Sequence, residues 1–221
     1  MNREIMLFDG SMVDPLGPPI LRGRWIESIA HALANKCRFT GHCRTFCSIA
    51  EHSVLCAQWA LREPIRSHSS RQRLAREMLL HDVGEAFLPD IAAPIKGAFL
   101  IEPSIGMPIP FNQVEDRWRN AVRGALELPE IDSRDVNDIV RLDRQQLADE
   151  ASRLFPSFDG RWGMKIEPRT DEEYDAAGIQ IPGAMVAYPP LVKWQFLELG
   201  TKLSLWSAEE CGCASTAEAT T

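Results

Sequence analysis

Three stretches of the chain repeat apolar residues at steps of three and four, and each is broken on that face by an ionisable side chain. The first reads Ile49, His52, Cys56, Trp59; the second Leu74, Met78, His81, Glu85; the third Val136, Val140, Asp143, Leu147, Leu154. Such spacing puts each set on one face of a helix, and an apolar face packs inward. A buried carboxylate is costly unless it is paired, hydrogen-bonded or metal-bound. One interruption has an ordinary explanation: a satisfied core histidine, or Asp143 paired with Arg141 or Arg144. Three interruptions on three helices are a constraint. If the stripes share one core, then His52, His81, the adjacent Asp82 and Asp143 meet in it.

Two imidazoles and two carboxylates suit a divalent transition metal, with positions left for water and substrate. Asp82 projects about 100° around the helix from His81, so both reach an ion lying between them. Glu85, one turn after His81, lines the same side and is placed to touch a water at that ion.

The remaining text is mostly helical. Helices are expected over Ser28–Asn35, Ser48–Glu63 (stopped by Pro64), Ser70–Phe87, Phe111–Leu126, Ser133–Phe155 and Leu191–Trp206, with prolines as the stops. Residues 14–23 and 100–110 each hold three prolines and are irregular. Residues 156–190 mix Gly, Pro and isolated aromatics, with a short strand pair expected near Met164–Glu167 and Met185–Tyr188. The expected fold is all-α: one domain over 1–206, with a core at about 28–155, a small irregular or short-strand C-terminal insertion, and a disordered tail over 207–221.

Composition narrows the function. No run of 18 apolar residues exists among the 221, which excludes a transmembrane helix. Acidic residues interrupt the N-terminal apolar run, so no signal peptide is expected. Six cysteines without a CxxC pair read as reduced thiols of a cytoplasmic protein. The net charge of −7 argues against duplex DNA and against a nucleic-acid phosphodiesterase. Residues 1–100 carry 12 Lys and Arg against 10 Asp and Glu, whereas residues 101–221 carry 12 against 21. A small anion is therefore better received in the first half.

His52, His81-Asp82 and Asp143 together resemble the H…HD…D pattern of the HD-domain phosphohydrolases. The flanking text, SIAEHSVL, MLLHDVGEAFLPDIAAPIKG and RLDRQQLADEASRL, is similar to the branch that holds bacterial 5′-deoxynucleotidases and phage-encoded nucleotide hydrolases, some of which remove triphosphate from dATP. The run IAHALANKCRFTGHCRTF is most similar to phage and prophage members. The resemblance covers about residues 28–155 and implies an HD-domain helical bundle. It makes His52, His81, Asp82 and Asp143 the ligands of a divalent ion (Zn, Co, Mn, Fe or Ni), with Asp82 and Glu85 at the chemistry. Glu85 would handle the catalytic water, Asp90 the sugar 3′-hydroxyl, and Arg38 and Lys96 the phosphate. Phe39 stands where the nucleotidases have Trp, and Pro89 where they have Gly.

Removal of triphosphate asks for further positive charge, from Lys36, His42 and Arg44 or from a second divalent ion. A planar base needs apolar walls, for which Phe39, Trp25, Met12, Val13 and Ile91 are available. His31 is expected to bond Asn35, and Arg153, beside Glu150, to form either a helix-surface ion pair or an outer clamp on the site. The expected activity is therefore dNTP (dATP-like) triphosphohydrolysis releasing the deoxynucleoside, by a homo-oligomer (dimer or hexamer) in the cytoplasm, the host's if phage-encoded. The alternatives are a 5′-deoxynucleotidase acting on dNMPs, a non-catalytic nucleotide sensor, and a structural zinc module of His42, Cys43, Cys47 and His52.

Overall fold

The computed structural model describes residues 3–64, 66–103, 105–158, 165–183 and 188–212. Over these the chain is mainly helical, with two antiparallel pairs of two-residue strands. The lead-in pairs β1 (Ile5–Met6) with β2 (Met12–Val13). Helix α1 (Trp25–Asn35) starts ahead of Ser28, because Ile26 and Ile29 extend the buried face that continues through Leu33. Helix α2 (Ile49–Ala60) is capped by Ser48, whose hydroxyl accepts the Glu51 N–H. Helix α3 (His68–Leu80) is capped by Ser67 rather than Ser70. A single turn, α4 (Ala93–Lys96), precedes β3 (Leu100–Ile101), which pairs with β4 (Ile109–Pro110). Then follow α5 (Phe111–Ala125), α6 (Ser133–Leu154, capped by Asp132), α7 (Asp171–Ala177) and α8 (Pro189–Lys202).

Helix α2 lies at the centre, packed against α1, α3, α6 and α8. Residues Ile49 to Ala57 are all buried. Leu33, Ile49, Leu74, Met78, Leu79 and Phe196 fill the core around them, each worth about 1.5–3 kcal/mol in apolar burial. A helix surrounded on all sides has no solvent face, so its polar residues, Glu51, His52 and Ser53, are carried inside. This topology delivers an imidazole to the interior.

Several expectations need correction. The third helix does not run to Phe87: it ends at Leu80, with His81 as its C-cap, and residues Val83–Ala86 turn as a 3-10 helix. Two contacts hold that turn. A Cβ on Gly84 would lie 2.6 Å from the carbonyl oxygen of Glu115 on α5, so the turn sits directly on a neighbouring backbone. The Lys36 ammonium, at the end of α1, donates to the carbonyls of Glu85, Ala86 (3.1 Å) and Leu88 (2.7 Å). Carbonyls that a continuing helix would bond internally are satisfied by a cation instead. Lys36 is therefore a clamp and not a phosphate contact.

The α6 stripe is also turned from its expected face. Val136 and Val140 are 47% and 43% exposed, while Asp135, Leu142, Gln146, Asp149 and Glu150 are buried. The N-terminal half of α6 docks through charge: buried Arg66 donates to Asp135 (2.6 Å) and to Asp138, and Arg73 to Asp135 (2.7 Å). Helix α7 was not foreseen. Thr170 and Glu173 form a capping box at its start, and Gly178 closes it with φ of 60°. Its Tyr174 packs with Leu55 and Ile179 in a small second core.

The expected strand pair falls mostly outside the described residues, and its described part, 165–167, forms no strand. The last helix ends at Lys202, four residues before Trp206. Residues 207–212 form a hydrogen-bonded turn, with Cys211 buried against the core, so these six do not belong to a disordered tail. Residues 213–221 lie outside the described set. No described helix is long and apolar enough to cross a membrane.

Gly84→Ala is expected to destabilise the protein by about 1–3 kcal/mol, because the new methyl meets backbone that cannot swing away. Urea denaturation checks this, and an unchanged midpoint would contradict the packing described.

Candidate metal centre and its cleft

Helix α2 contributes His52, the end of α3 contributes His81 and Asp82, and α6 contributes Asp143. His52 Nε2 lies 3.2 Å from His81 Nε2, 3.1 Å from Asp143 Oδ1 and 3.9 Å from Asp82 Oδ2. His81 Nε2 is 3.3 Å from Asp82 Oδ2 and 3.8 Å from Asp143 Oδ1. Residues separated by up to 91 positions thus present four ligand atoms to one point.

The outer nitrogens decide what those atoms are. His81 Nδ1 is 2.6 Å from the Met78 carbonyl oxygen, which only accepts, so Nδ1 donates. His52 Nδ1 is 2.8 Å from Glu150 Oε1. Burial raises the Glu150 pKa, but Arg38, His52 and Gln146 outweigh it and hold the carboxyl below the usual carboxylate range. It is therefore ionised, and His52 Nδ1 donates as well. In a neutral imidazole so bonded, Nε2 carries a lone pair. Four acceptors then face each other with no donor among them.

A positive charge has to sit there. In the metal-free protein a proton serves. Burial and Arg38 oppose protonation of His52, yet Cys56, Glu150 and Asp143 outweigh them, and its pKa lies well above the usual histidine range. Asp143 is correspondingly held far below its ordinary range: burial works against this, but His52, His81 and Arg38 prevail. A divalent transition ion satisfies the same four atoms, and the Nδ1 partners supply the outer hydrogen bonds that orient metal-binding imidazoles. Cys56 adds a fifth group. One turn after His52, its Sγ lies 3.6 Å from His52 Nε2, and His52, Cys56 and His81 offer ligand atoms all within 4.8 Å of one another. They form a cluster able to hold a metal ion.

Behind these residues Arg38 is the charge that balances Glu150, with Nε 3.0 Å from Oε2, while its Nη1 is 3.6 Å from Asp82 Oδ2. Phe39 and Thr40, neither of them glycine, hold φ values of 57° and 51°. Such backbone costs about 1–3 kcal/mol per residue and persists where surroundings fix it. Here it sets the Phe39 ring edge-on to Phe155 at 5.1 Å.

A cleft of about 1000 Å³ opens over the cluster. Of the residues expected at the substrate, Arg38, Phe39, His42, Asp82, Glu85, Asp90, Ile91, Lys96 and Asp143 line it. Arg144, Leu147, Phe155 and Lys165 line it too. Lys96 bonds Glu85 (3.1 Å) and Glu115 (2.9 Å). Burial first, then the Asp82 charge, push the Glu85 pKa up to about 8 against the pull of Lys96. Burial raises Asp90 likewise, against Arg38 and Lys96.

The other residues considered for the site lie elsewhere. Arg44 does not line the cleft: it is exposed, and its N–H bonds the Leu154 carbonyl at 2.9 Å. Trp25, Met12 and Val13 are not cleft walls, since Trp25 and Val13 pack into the main core and Met12 pairs in β2. Arg153 does not pair with Glu150. It bonds Asp171 and the Asp149 and Arg169 carbonyls. Among the described residues, His42, Cys43 and Cys47 form no metal cluster with His52. Asn35 Nδ2 donates to the His31 carbonyl at 2.8 Å, with the His31 ring 3.5 Å away.

Glu150 was the residue the sequence reasoning missed at the metal centre. Its position seven residues after Asp143, two turns along the same face, was the available signal. Glu150→Gln is expected to weaken Zn binding about 10–100-fold, read by calorimetric titration, with unchanged affinity contradicting the orienting role. Glu150 and Asp143 have depressed pKa values, so their stabilisation is full above their ordinary values of about 4. It is lost as pH falls through the folded-state values. The urea midpoint of metal-free protein should therefore drop below about pH 4, and a flat midpoint from pH 6 to 3 would contradict this.

No protein-family model matches the chain. Over 139 residues it is 32% identical to the uncharacterized protein YfdR of Escherichia coli (strain K12), a match taking in 61% of this chain and 67% of that relative.

Proposed function

We infer that this chain, which belongs to the same family as Escherichia coli YfdR, is a divalent-metal-dependent phosphohydrolase of deoxynucleotides with an HD-domain fold. The observation that carries the reading is the convergence of His52, His81, Asp82 and Asp143 at the floor of an open cleft, where either a proton or a metal ion has to sit among them. A divalent ion held there would lower the pKa of water and polarise a phosphoryl oxygen. Everything else comes from the chain itself. Arg38 and Lys96 offset charge on the non-reacting phosphate oxygens. Glu85, beside Asp82 and with its pKa raised to about 8, keeps a proton near neutral pH that it can hand to the leaving oxygen. Asp90 faces the same cleft and is the acceptor for a sugar hydroxyl. Phe39 and Ile91 supply apolar wall for a base.

A triphosphate is favoured over a monophosphate by the size of the cleft and by its cations. Arg144 and Lys165 stand in the lining beside Arg38, His42 and Lys96, and take the part expected of Arg44. A monophosphate alone would be better held by a small closed pocket. The favoured reaction is hydrolysis of a dATP-like dNTP to deoxynucleoside and triphosphate, by a homo-oligomeric cytoplasmic enzyme.

The test is a panel of dNMPs and dNTPs with Mn, Co or Zn, scoring phosphate and triphosphate separately. Triphosphate from dATP is expected, whereas phosphate from dAMP with no product from dATP moves the assignment to a 5′-deoxynucleotidase. Metal-loaded protein that turns over no nucleotide would instead indicate a sensor. Glu85→Gln is expected to lower kcat by about 10²–10⁴, and undiminished turnover would remove Glu85 from the chemistry.

A further inference from the structure

We propose that Cys56 is a direct ligand of the cation held by His52 and His81, a thiolate closing its inner side. The inference rests on the reading of that cluster as a metal centre and adds a ligand to it. Cys56 follows His52 by four residues on α2, so the two side chains share a face, and both are wholly buried. Bonds of about 2.0–2.1 Å to nitrogen and about 2.3 Å to sulfur, set at about 90–110° to one another, hold N and S about 3.1–3.6 Å apart and two nitrogens about 2.9–3.4 Å apart. The separations here are 3.6 Å for Cys56 Sγ to His52 Nε2 and 3.2 Å for the two Nε2 atoms.

Burial gives the arrangement a direction. Cys56 and His52 have no exposed surface, whereas the side chains of Asp82 and Asp143 are 22% and 42% exposed. Sulfur therefore lies on the protein side of the site and the carboxylates lie toward the cleft. Among the described residues Cys56 hydrogen-bonds His52 itself, so ligation costs it no other partner. As the sulfur–metal bond forms, the thiol proton leaves to solvent. A soft donor biases the site toward Zn, Co or Fe(II) and away from Mn and Mg.

Co(II)-loaded full-length protein tests this through its spectrum. The expected result is a near-ultraviolet sulfur-to-cobalt charge-transfer band that is lost in Cys56→Ser and kept in a Cys37→Ser/Cys43→Ser control, with the visible d–d bands of bound Co(II) present in all three. Zn-edge X-ray absorption of the unmutated protein should show one sulfur at about 2.3 Å, whether or not the Cys56 variant folds. Bound Co(II) without the band, a band that survives Cys56→Ser, or a zinc shell with no sulfur would overturn the proposal and leave the metal centre standing. Failure to take up Co(II) or Zn at all would overturn both.

Discussion

The buried carboxylate of Glu150 is the interaction on which the site depends. One of its oxygens accepts from His52 Nδ1 and the other from Arg38 Nε, and none of its side chain reaches solvent. Gln146, one turn earlier on α6, completes its bonding at 3.2 Å. An ion pair so enclosed contributes little net stability, but losing one partner strands the other, at a cost of about 3–5 kcal/mol. The pair is therefore a device of position. It ties α6 to α2, holds Arg38 in the lining of the cleft and commits His52 Nδ1 to Glu150. With Nδ1 so committed, the four inward atoms need either a proton, as in the metal-free protein, or a metal ion among them.

The same logic extends along the cleft. Lys36 spends its charge on the backbone carbonyls of the turn that carries Glu85, and burial brings its own pKa down to about 8. Lys96 pairs with Glu85 and Glu115 and also lines the cleft. The Glu85 carboxyl thus sits between a fixed backbone and a cation, in the lining of the cleft.

How much was legible in the sequence follows from which forces act locally. His52 and His81 announce themselves because a helix that buries one face must repeat every three to four residues, and an ionisable group in that register conflicts with burial; Asp143 was picked out by a stripe whose first half proves exposed. The prolines at 64 and 129 each lie four residues past the last residue of α2 and α5, so they bar extension of those helices without setting their ends. The end of α3 was not legible, since it is imposed by Lys36 and by the α5 backbone at Gly84, both distant in sequence. Nor was the turned face of α6, where Arg66 and Arg73 dock a charged surface and leave Val136 and Val140 outside. Helix α7 carried a readable signal, Thr170 followed by Glu173, hidden in a segment whose glycines, prolines and aromatics read as irregular. At the candidate site, His52, His81 and Asp143 were visible as residue types in register, while Glu150 looked like any surface glutamate. Arg44 had the right charge in the right segment, and its loop turns it outward.

The most direct test of the central claim is an anomalous-scattering map from crystals of protein grown with Zn or Mn and collected at the metal edge. A single strong peak within about 2.0–2.2 Å of both His52 Nε2 and His81 Nε2, with Asp82 and Asp143 oxygens in contact, is the predicted result. A map without a peak between the two imidazoles, with a proton-bridged His52–Asp143 pair in its place, would contradict it.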